Sequence, residues 1–306
     1  MKATVIMPTF NHGITLNYSI PSILNQTIKD IELFIIGDGA PDNTRAIIRK
    51  FIKKDKRIKF FDNPKDKRHG EIYRHKALKQ AKGKIACYLS DDDLMFPDHI
   101  ETMLKLLKNG NFCHTYLARI EANGEVVPCL IDLSLKDYQH LMLSGVSFIA
   151  LSFVGHTLSI YRKLPYGWRT TPKGIYSDLY MWQQFLSHPA CKPVSGFVPT
   201  LFYFPSPSRR KWSIQKRAQE LESWSKKLKN PAFIKQYRHE FLEKEIRNNA
   251  IVTAKIHMVE ELLKKNRVLE KNFARIRSTK AWRLYNLLSR SPIGILLKRV
   301  SRQVSF

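Results

Sequence analysis

Three adjacent carboxylates, Asp91, Asp92 and Asp93, follow directly on the apolar run Ile85, Ala86, Cys87, Tyr88 and Leu89. That run is too short for a helix and reads as a buried strand. Side chains alternate along an extended backbone, so neighbouring acids converge on one spot only where the strand breaks. Three such groups repel one another unless a positive charge sits among them. Oxygen ligands in this number suit Mg²⁺ or Mn²⁺, and Mg²⁺ is commonly held by one or two carboxylates together with substrate phosphates. The same segment also reads as a solvated acidic turn capping a helix that begins near Pro97. A further acid, Asp178, stands with Ser177 at the head of an apolar-periodic helix within residues 174–186, where free backbone N–H groups favour a cap or first-turn carboxylate.

The elements that position these groups alternate. Residues 3–7 read as a first strand, stopped by Pro8 and followed by the polar loop Thr9-Phe10-Asn11-His12-Gly13. Residues 14–26 carry helical spacing through Leu16, Ile20, Ile23 and Leu24. A second strand over 31–36 ends in the loop 37–44 and leads to a helix through Ile47, Ile48 and Phe51. Residues 58–61 form a third strand, 71–81 a helix, and 84–89 the fourth strand. Strands alternating with helices predict a doubly wound, mostly parallel α/β sheet. Ligands of such sheets bind beyond the carboxyl ends of the strands, so one crevice collects Pro8–Asn11, Gly37–Asp42 and Ser90–Asp93.

Over residues 1–204 the pattern resembles a family 2 glycosyltransferase with the GT-A fold. Pro8-Thr9-Phe10-Asn11 stands where that family ends its first strand in Pro-x-Tyr/Phe-Asn, and Gln26-Thr27 matches its Gln-Thr pair. Gly37-Asp38-Gly39-Ala40 replaces Asp-Asp-Gly-Ser, keeping as Asp38 the acid that contacts the nucleotide base. Tyr73-Arg74-His75 corresponds to the Ala-Arg-Asn helix near the donor. Leu89-Ser90-Asp91-Asp92-Asp93 aligns with Leu-Asp-x-Asp-Asp, so Ser90 replaces the first acid and weakens the ribose contact. The resemblance implies that Pro8, Thr9, Phe10, Asn11, Asp38, Arg74 and Asp91 bind the donor nucleotide. It also implies that Asp92 and Asp93 hold Mn²⁺ or Mg²⁺.

The resemblance further implies that Asp178 is the general base taking the acceptor hydroxyl's proton, a role compatible with a helix-start position. Val154–Arg162 reads as a strand that the family shares. His156 on it is read as orienting acceptor or phosphate, or as a satisfied core residue. Trp168, with Tyr166, is read as stacking a sugar ring or as packing. The implied reaction is a single inverting displacement from a UDP-linked sugar to a surface glycan or lipid-linked acceptor. Two other readings remain: a basic nucleic-acid-binding protein, for which no recognised module appears, and a non-catalytic relative, suggested by Gly37 and Ser90.

Charge is uneven along the 306 residues. Residues 1–204 hold 27 Lys+Arg and 18 Asp+Glu, a net +9, whereas residues 205–306 hold 25 and 8, a net +17. Such a balance points to a polyanionic partner for the last third. Cys87, Cys113, Cys129 and Cys191 show no C-x-x-C pair and read as reduced cytosolic thiols. Ala3–Met7, ended by Pro8, lacks the pattern of a signal peptide. Leu141–Tyr161 is uncharged over a length able to span a bilayer, but its Ser, Thr, His and Gly content favours a buried helix followed by a buried strand.

Residues 205–270 read as a helical extension after a Pro/Ser linker. Val259, Leu262, Asn266, Leu269, Phe273 and Ile276 step by three and four, a short heptad seam for a second subunit or for packing back on the catalytic domain. Residues 271–306 carry nine Lys/Arg and no acid, interleaved with Trp282, Leu284, Leu287, Leu288 and the aliphatic run from Ile293. That tail predicts a peripheral attachment to the anionic, cytoplasmic membrane face, with no nucleic acid as partner.

Overall fold

Alternating strands and crossovers appear in the computed structural model, which describes residues 1–290. The chain runs β1 (Ala3–Thr9), α1 (Leu16–Leu24), β2 (Ile31–Asp38), α2 (Asp42–Lys54), β3 (Ile58–Asn63), α3 (Glu71–Leu78) and β4 (Ile85–Tyr88). Short β5 (Leu94–Met95) and α4 (His99–Leu106) lead to β6 (Phe112–His114), the pair β7 (Leu117–Ile120) and β8 (Val126–Cys129), and α5 (Lys136–Leu143). After β9 (Val154–Thr157) and α6 (Leu158–Tyr161) come α7 (Ser177–Leu186), β10 (Pro193–Ser195) and β11 (Leu201–Phe202). The helices α8 (Ile214–Leu228), α9 (Pro231–Ser278) and α10 (Lys280–Ser289) follow.

Seven strands form one sheet in the order β10-β6-β9-β4-β1-β2-β3, parallel throughout except at β9, which runs antiparallel to β4 and β6. This is the expected mixed, mostly parallel, doubly wound α/β sheet. The alternation of β-structure divides its two faces. Ile6, Phe34, Ile36 and Tyr88 enter one apolar cluster, whereas Val5, Leu33, Ile35 and Cys87 enter the other. Central strands buried on both sides account for the continuous apolar runs in the sequence.

Two strands extend further than their hydrophobic runs. The β1–β2 ladder continues past Pro8, pairing Pro8 with Ile36 and Thr9 with Gly37. Thr9 and Asp38 therefore sit on strand ends rather than in loose loops. The uncharged stretch 141–161 departs from the expected helix and strand. It holds the end of α5, where Leu141 and Leu143 are exposed, then the short β9 and α6. Thr157 ends the strand there, its hydroxyl accepting from the Ile160 N–H at 3.3 Å and capping α6. Among the described residues no helix is long and apolar enough to cross a membrane.

The first of two compact units runs from Met1 to Lys244, well beyond the boundary expected at residue 204, and the second begins at Glu245. Residues 205–244 belong to the first because α8 and the start of α9 bury Leu221, Ile234, Tyr237 and Phe241 against Phe96, Phe202 and Phe204. Arg209 locks this arrangement. Its guanidinium is 1% exposed and donates to both Glu220 carboxylate oxygens at 2.6 Å and to the Ile120 carbonyl at 2.9 Å. In the second unit, residues 246–281 are exposed throughout. Of the expected basic tail, residues 291–306 lie outside the described residues.

Removing one partner of a buried ion pair leaves an uncompensated charge, so Glu220→Ala is expected to destabilise the protein by about 3–5 kcal/mol. Replacing Arg209 and Glu220 together by Met and Leu should cost much less. Urea unfolding of both variants checks this, and equal losses would show that the pair's charge is not what matters.

Candidate active site

The break after β4 sends its three acids in different directions. Asp93 turns inward and is fully buried, accepting from the Ser152 hydroxyl at 2.5 Å and the Phe204 N–H at 2.9 Å. Burial, then the charge of Asp92, pushes its carboxyl well above the usual range. Asp93 is therefore occupied in tying β4 to β11 and to the turn before β9, and it does not face the crevice with Asp92 as a ligand would. Asp91 is held from the β1 side. Thr9 donates to it at 2.7 Å, His12 Nδ1 lies 3.0 Å from it, and the Thr15 hydroxyl donates to its carbonyl at 2.7 Å. Asp92 accepts from Ser206 at 3.1 Å and lies 3.5 Å from Arg217 Nη1, a side chain brought by α8.

One ligand atom each from His12, Asp91 and Asp92 lies within 4.8 Å of the others. Burial, followed by the charge of Asp91, pushes Asp92 up to about 6. The hydrogen bond to Asp91 raises His12, with burial opposing and the charges of Asp91 and Asp92 assisting. Two crowded, desolvated carboxylates beside an imidazole form a donor set that fits a divalent cation. His12 is a site residue that the sequence reading left in a polar loop. Its signal was its place beyond the carboxyl end of β1, adjacent to β4.

Asp38 closes the next strand and is 6% exposed. It pairs with Lys65 Nζ and accepts from the Asp66 N–H at 2.6 Å. Gly70, at φ 65°, makes room for it: a Cβ there would lie 2.9 Å from the Asp38 Cβ. Phe10 and Asn11 are exposed beyond β1, and Pro8 is half-buried. Lys65 Nζ sits 5.5 Å from the Phe10 ring centre, so Asp38, Lys65 and Phe10 gather at one rim.

Arg74 on α3 is 4% exposed, and burial pulls its pKa down while the charges of Asp178, Glu71 and Asp38 push it up. It donates through Nη2 to the His69 carbonyl at 2.9 Å and stacks over Trp168 at 4.6 Å. Its Nε and Nη1 are buried without a partner in the protein. Asp178 lies in the first turn of α7, where it accepts from the Leu151 N–H at 3.0 Å and from the Ser177 hydroxyl at 3.2 Å. Burial raises its pKa against the opposing charge of Arg74. A cavity of about 390 Å³, lined by Arg68, His69, Ile175, Tyr176, Ser177 and Asp178, opens beside it.

Two expected acceptor residues are placed elsewhere. His156 is fully buried, lies 2.7 Å from the Tyr88 hydroxyl, and reaches the Thr157 carbonyl through Nδ1 at 3.0 Å. Burial pushes its pKa down to about 4, so it is a neutral, satisfied core histidine. Trp168 is 2% exposed, donates to Tyr88 at 3.0 Å and presents its face to Arg74. It supports Arg74 and has no face free for a sugar. The exposed aromatic on the cavity rim is Tyr176, at 71%.

The model of the family described as "Glycosyl transferase family 2" matches residues 4–166. A Campylobacter jejuni GalNAc(5)-diNAcBac-PP-undecaprenol beta-1,3-glucosyltransferase is 30% identical over 164 residues, 53% of this chain and 52% of that protein. The chain thus spans about half the length of this curated relative. The Escherichia coli UDP-Glc:alpha-D-GlcNAc-diphosphoundecaprenol beta-1,3-glucosyltransferase WfgD is 33% identical over 37% of this chain and 44% of its own. Staphylococcus aureus TarS 1-349 in complex with UDP-GlcNAc superposes with TM-score 0.53 at 15% identity, covering 67% of this chain and 59% of that one. The Pyrobaculum calidifontis mannosyltransferase PcManGT, in complex with GDP-Man and Mn²⁺, gives 0.50 at 14% identity over 98% and 87%. These two likenesses show the fold, of GT-A type. Because the family model covers more than half of the chain, and the doubly wound sheet places its motifs at adjacent strand ends, the chain belongs to glycosyl transferase family 2.

Proposed function

We propose that the protein is an inverting transferase that moves a sugar from a UDP-linked donor to a lipid-linked or surface-glycan acceptor, with a divalent cation as cofactor. The observation that carries this reading is Arg74. It is a buried cation with two unpartnered N–H groups, under the charges of both Asp38 and Asp178. Asp38 and Phe10 take the nucleoside, and Arg74 donates to the diphosphate. His12, Asp91 and Asp92 hold the cation, and an imidazole among the ligands suits Mn²⁺ better than Mg²⁺. When bound, the cation offsets the charge that develops on the departing diphosphate.

Asp178 acts on the acceptor from the 390 Å³ cavity. The acceptor oxygen forms a bond to the anomeric carbon as the bond to the diphosphate breaks, and the hydroxyl proton passes to the Asp178 carboxylate. Desolvation makes that carboxylate a better proton acceptor, and its hydrogen bond from Leu151 fixes its direction. The relatives from Campylobacter and Escherichia coli bear names that specify undecaprenol-linked acceptors, which supports the acceptor class. The proposed attachment to the cytoplasmic membrane face is supported by residues 271–290, which hold six Lys/Arg and no acid, with exposed Leu284 and Leu287 on α10.

Three measurements test this function. Asp92→Asn should weaken Mn²⁺-dependent UDP binding by at least about tenfold in calorimetry without lowering the melting temperature, because a ligand carboxylate is removed. Unchanged affinity with Mn²⁺ present would remove the metal assignment. Asp178→Asn should leave donor binding and stability near wild type while transfer falls by roughly 10²-fold or more. Near-normal turnover would show that Asp178 only orders the start of α7. The full chain should co-sediment with anionic vesicles and lose most of that binding when Leu284 and Leu287 are both changed to Asp, since burial of apolar side chains adds to charge. Equal binding by both proteins would eliminate the α10 attachment.

A further inference from the structure

The second unit poses a problem that the catalytic reading does not absorb. Along α9 from residue 246 onward every side chain is exposed, yet Val259, Leu262, Leu269, Phe273 and Ile276 are each at least half exposed. An amphipathic helix gains most of its stability from packing an apolar face. We infer that residues 252–276 of α9 form a parallel, two-stranded coiled coil with a second copy of this chain.

The heptad phase decides the partner. With Val259 at position a, Leu262 is d, Asn266 a, Leu269 d, Phe273 a and Ile276 d, and Val252 begins the same register one heptad earlier, where Lys255 holds d at the open end of the seam. β-branched residues at a with Leu at d favour two strands, and a single polar Asn at a fixes register and oligomeric state. In a parallel, in-register pair Asn266 meets its own copy, so the two amides satisfy each other. In an antiparallel pair a faces d, and the amide would be buried against an aliphatic side chain without a partner.

Charge agrees with this alignment. Lys265 occupies g and Glu270 the following e, the two positions that meet across a parallel interface. Neither makes an ion pair among the described residues, although Lys264 and Glu261, one turn away, pair at 2.7 Å. An anionic bilayer is a poorer occupant of this stretch. Residues 245–270 carry Glu245, Glu260, Glu261 and Glu270 against five Lys/Arg, so net attraction is small, and Asn266 would lie in the apolar face. The uncompensated basic charge begins only at Lys271.

Sedimentation of the full chain in lipid-free buffer should give a dimer of the 35.7 kDa protomer. Leu262→Lys combined with Leu269→Lys alters side chains that are more than half exposed among the described residues, so it should raise the dimer dissociation constant by at least about 100-fold while UDP binding persists. Glu270→Lys should weaken the dimer by a smaller factor, and adding Lys265→Glu should restore it. Asn266→Cys should cross-link under mild oxidation, because parallel a positions face each other. A monomeric wild-type protein, or a trimer, would overturn the inference. So would a dimer untouched by the double Lys change, or one in which Cys at 266 fails to cross-link.

Discussion

Carboxylates in immediate succession at the end of a fully buried strand repel one another, and the architecture around β4 is arranged to separate and satisfy them. Asp93 is drawn into the core by Ser152 and Phe204, Asp91 is held by Thr9 and His12 from beyond β1, and Asp92 is met by Ser206 and Arg217. Each acid thereby recruits a different part of the chain. One ties down β11, one joins the β1 loop to the β4 loop, and one receives α8. The two acids left at the crevice are close enough that burial and mutual repulsion raise Asp92, which is the electrostatic condition a cation relieves.

Much of this was legible in the amino-acid sequence because it depends on period and punctuation. The strands through Val5, Leu33 and Cys87 appear as short apolar runs, since both sheet faces are covered, and the acids after Leu89 mark the break. Asp38, Arg74 and Asp178 could be placed on strand ends and helix starts for the same reason. What could not be read is side-chain direction. Asp92 and Asp93 are equivalent in sequence, and only the positions of Ser152 and Phe204, far along the chain, decide which one is consumed by the core. His156 and Trp168 looked like acceptor groups because polar and aromatic residues near a site invite that reading. They are instead linked through the Tyr88 hydroxyl, inside the sheet's apolar layer.

The first compact unit reaches past residue 204, to Lys244, for a related reason. A Pro/Ser-rich stretch after Phe204 has the composition of a linker, but Ser206 and Arg209 are fixed by tertiary partners that composition does not reveal. Arg209 holds Glu220 on α8, and α8 in turn carries Arg217 to Asp92. The electrostatics of the crevice thus depend on a helix outside the region matched by the family model, which ends at residue 166. Asp178 lies outside it as well. The matched segment supplies Asp38, Arg74, Asp91 and Asp92, and the part of the chain that follows it supplies Asp178, Ser206 and Arg217.

The two units also differ in how they treat apolar surface. In the first, aromatic side chains such as Phe96, Phe202 and Tyr237 pack edge to face, so the helices that follow β11 are held by burial as well as by charge. In the second, the aliphatic residues of α9 are about half or more exposed, although many of them recur at three- and four-residue spacing. Periodicity without burial among the described residues is what a helix written for an external surface would show. The composition divides that requirement along the helix: mixed charge with Asn266 in the seam up to Glu270, and unbalanced basic charge with leucines beyond it. A narrow, polar-marked seam on α9 is the kind of surface that suits another helix, whereas the basic leucine-bearing α10 is the kind that suits an anionic interface.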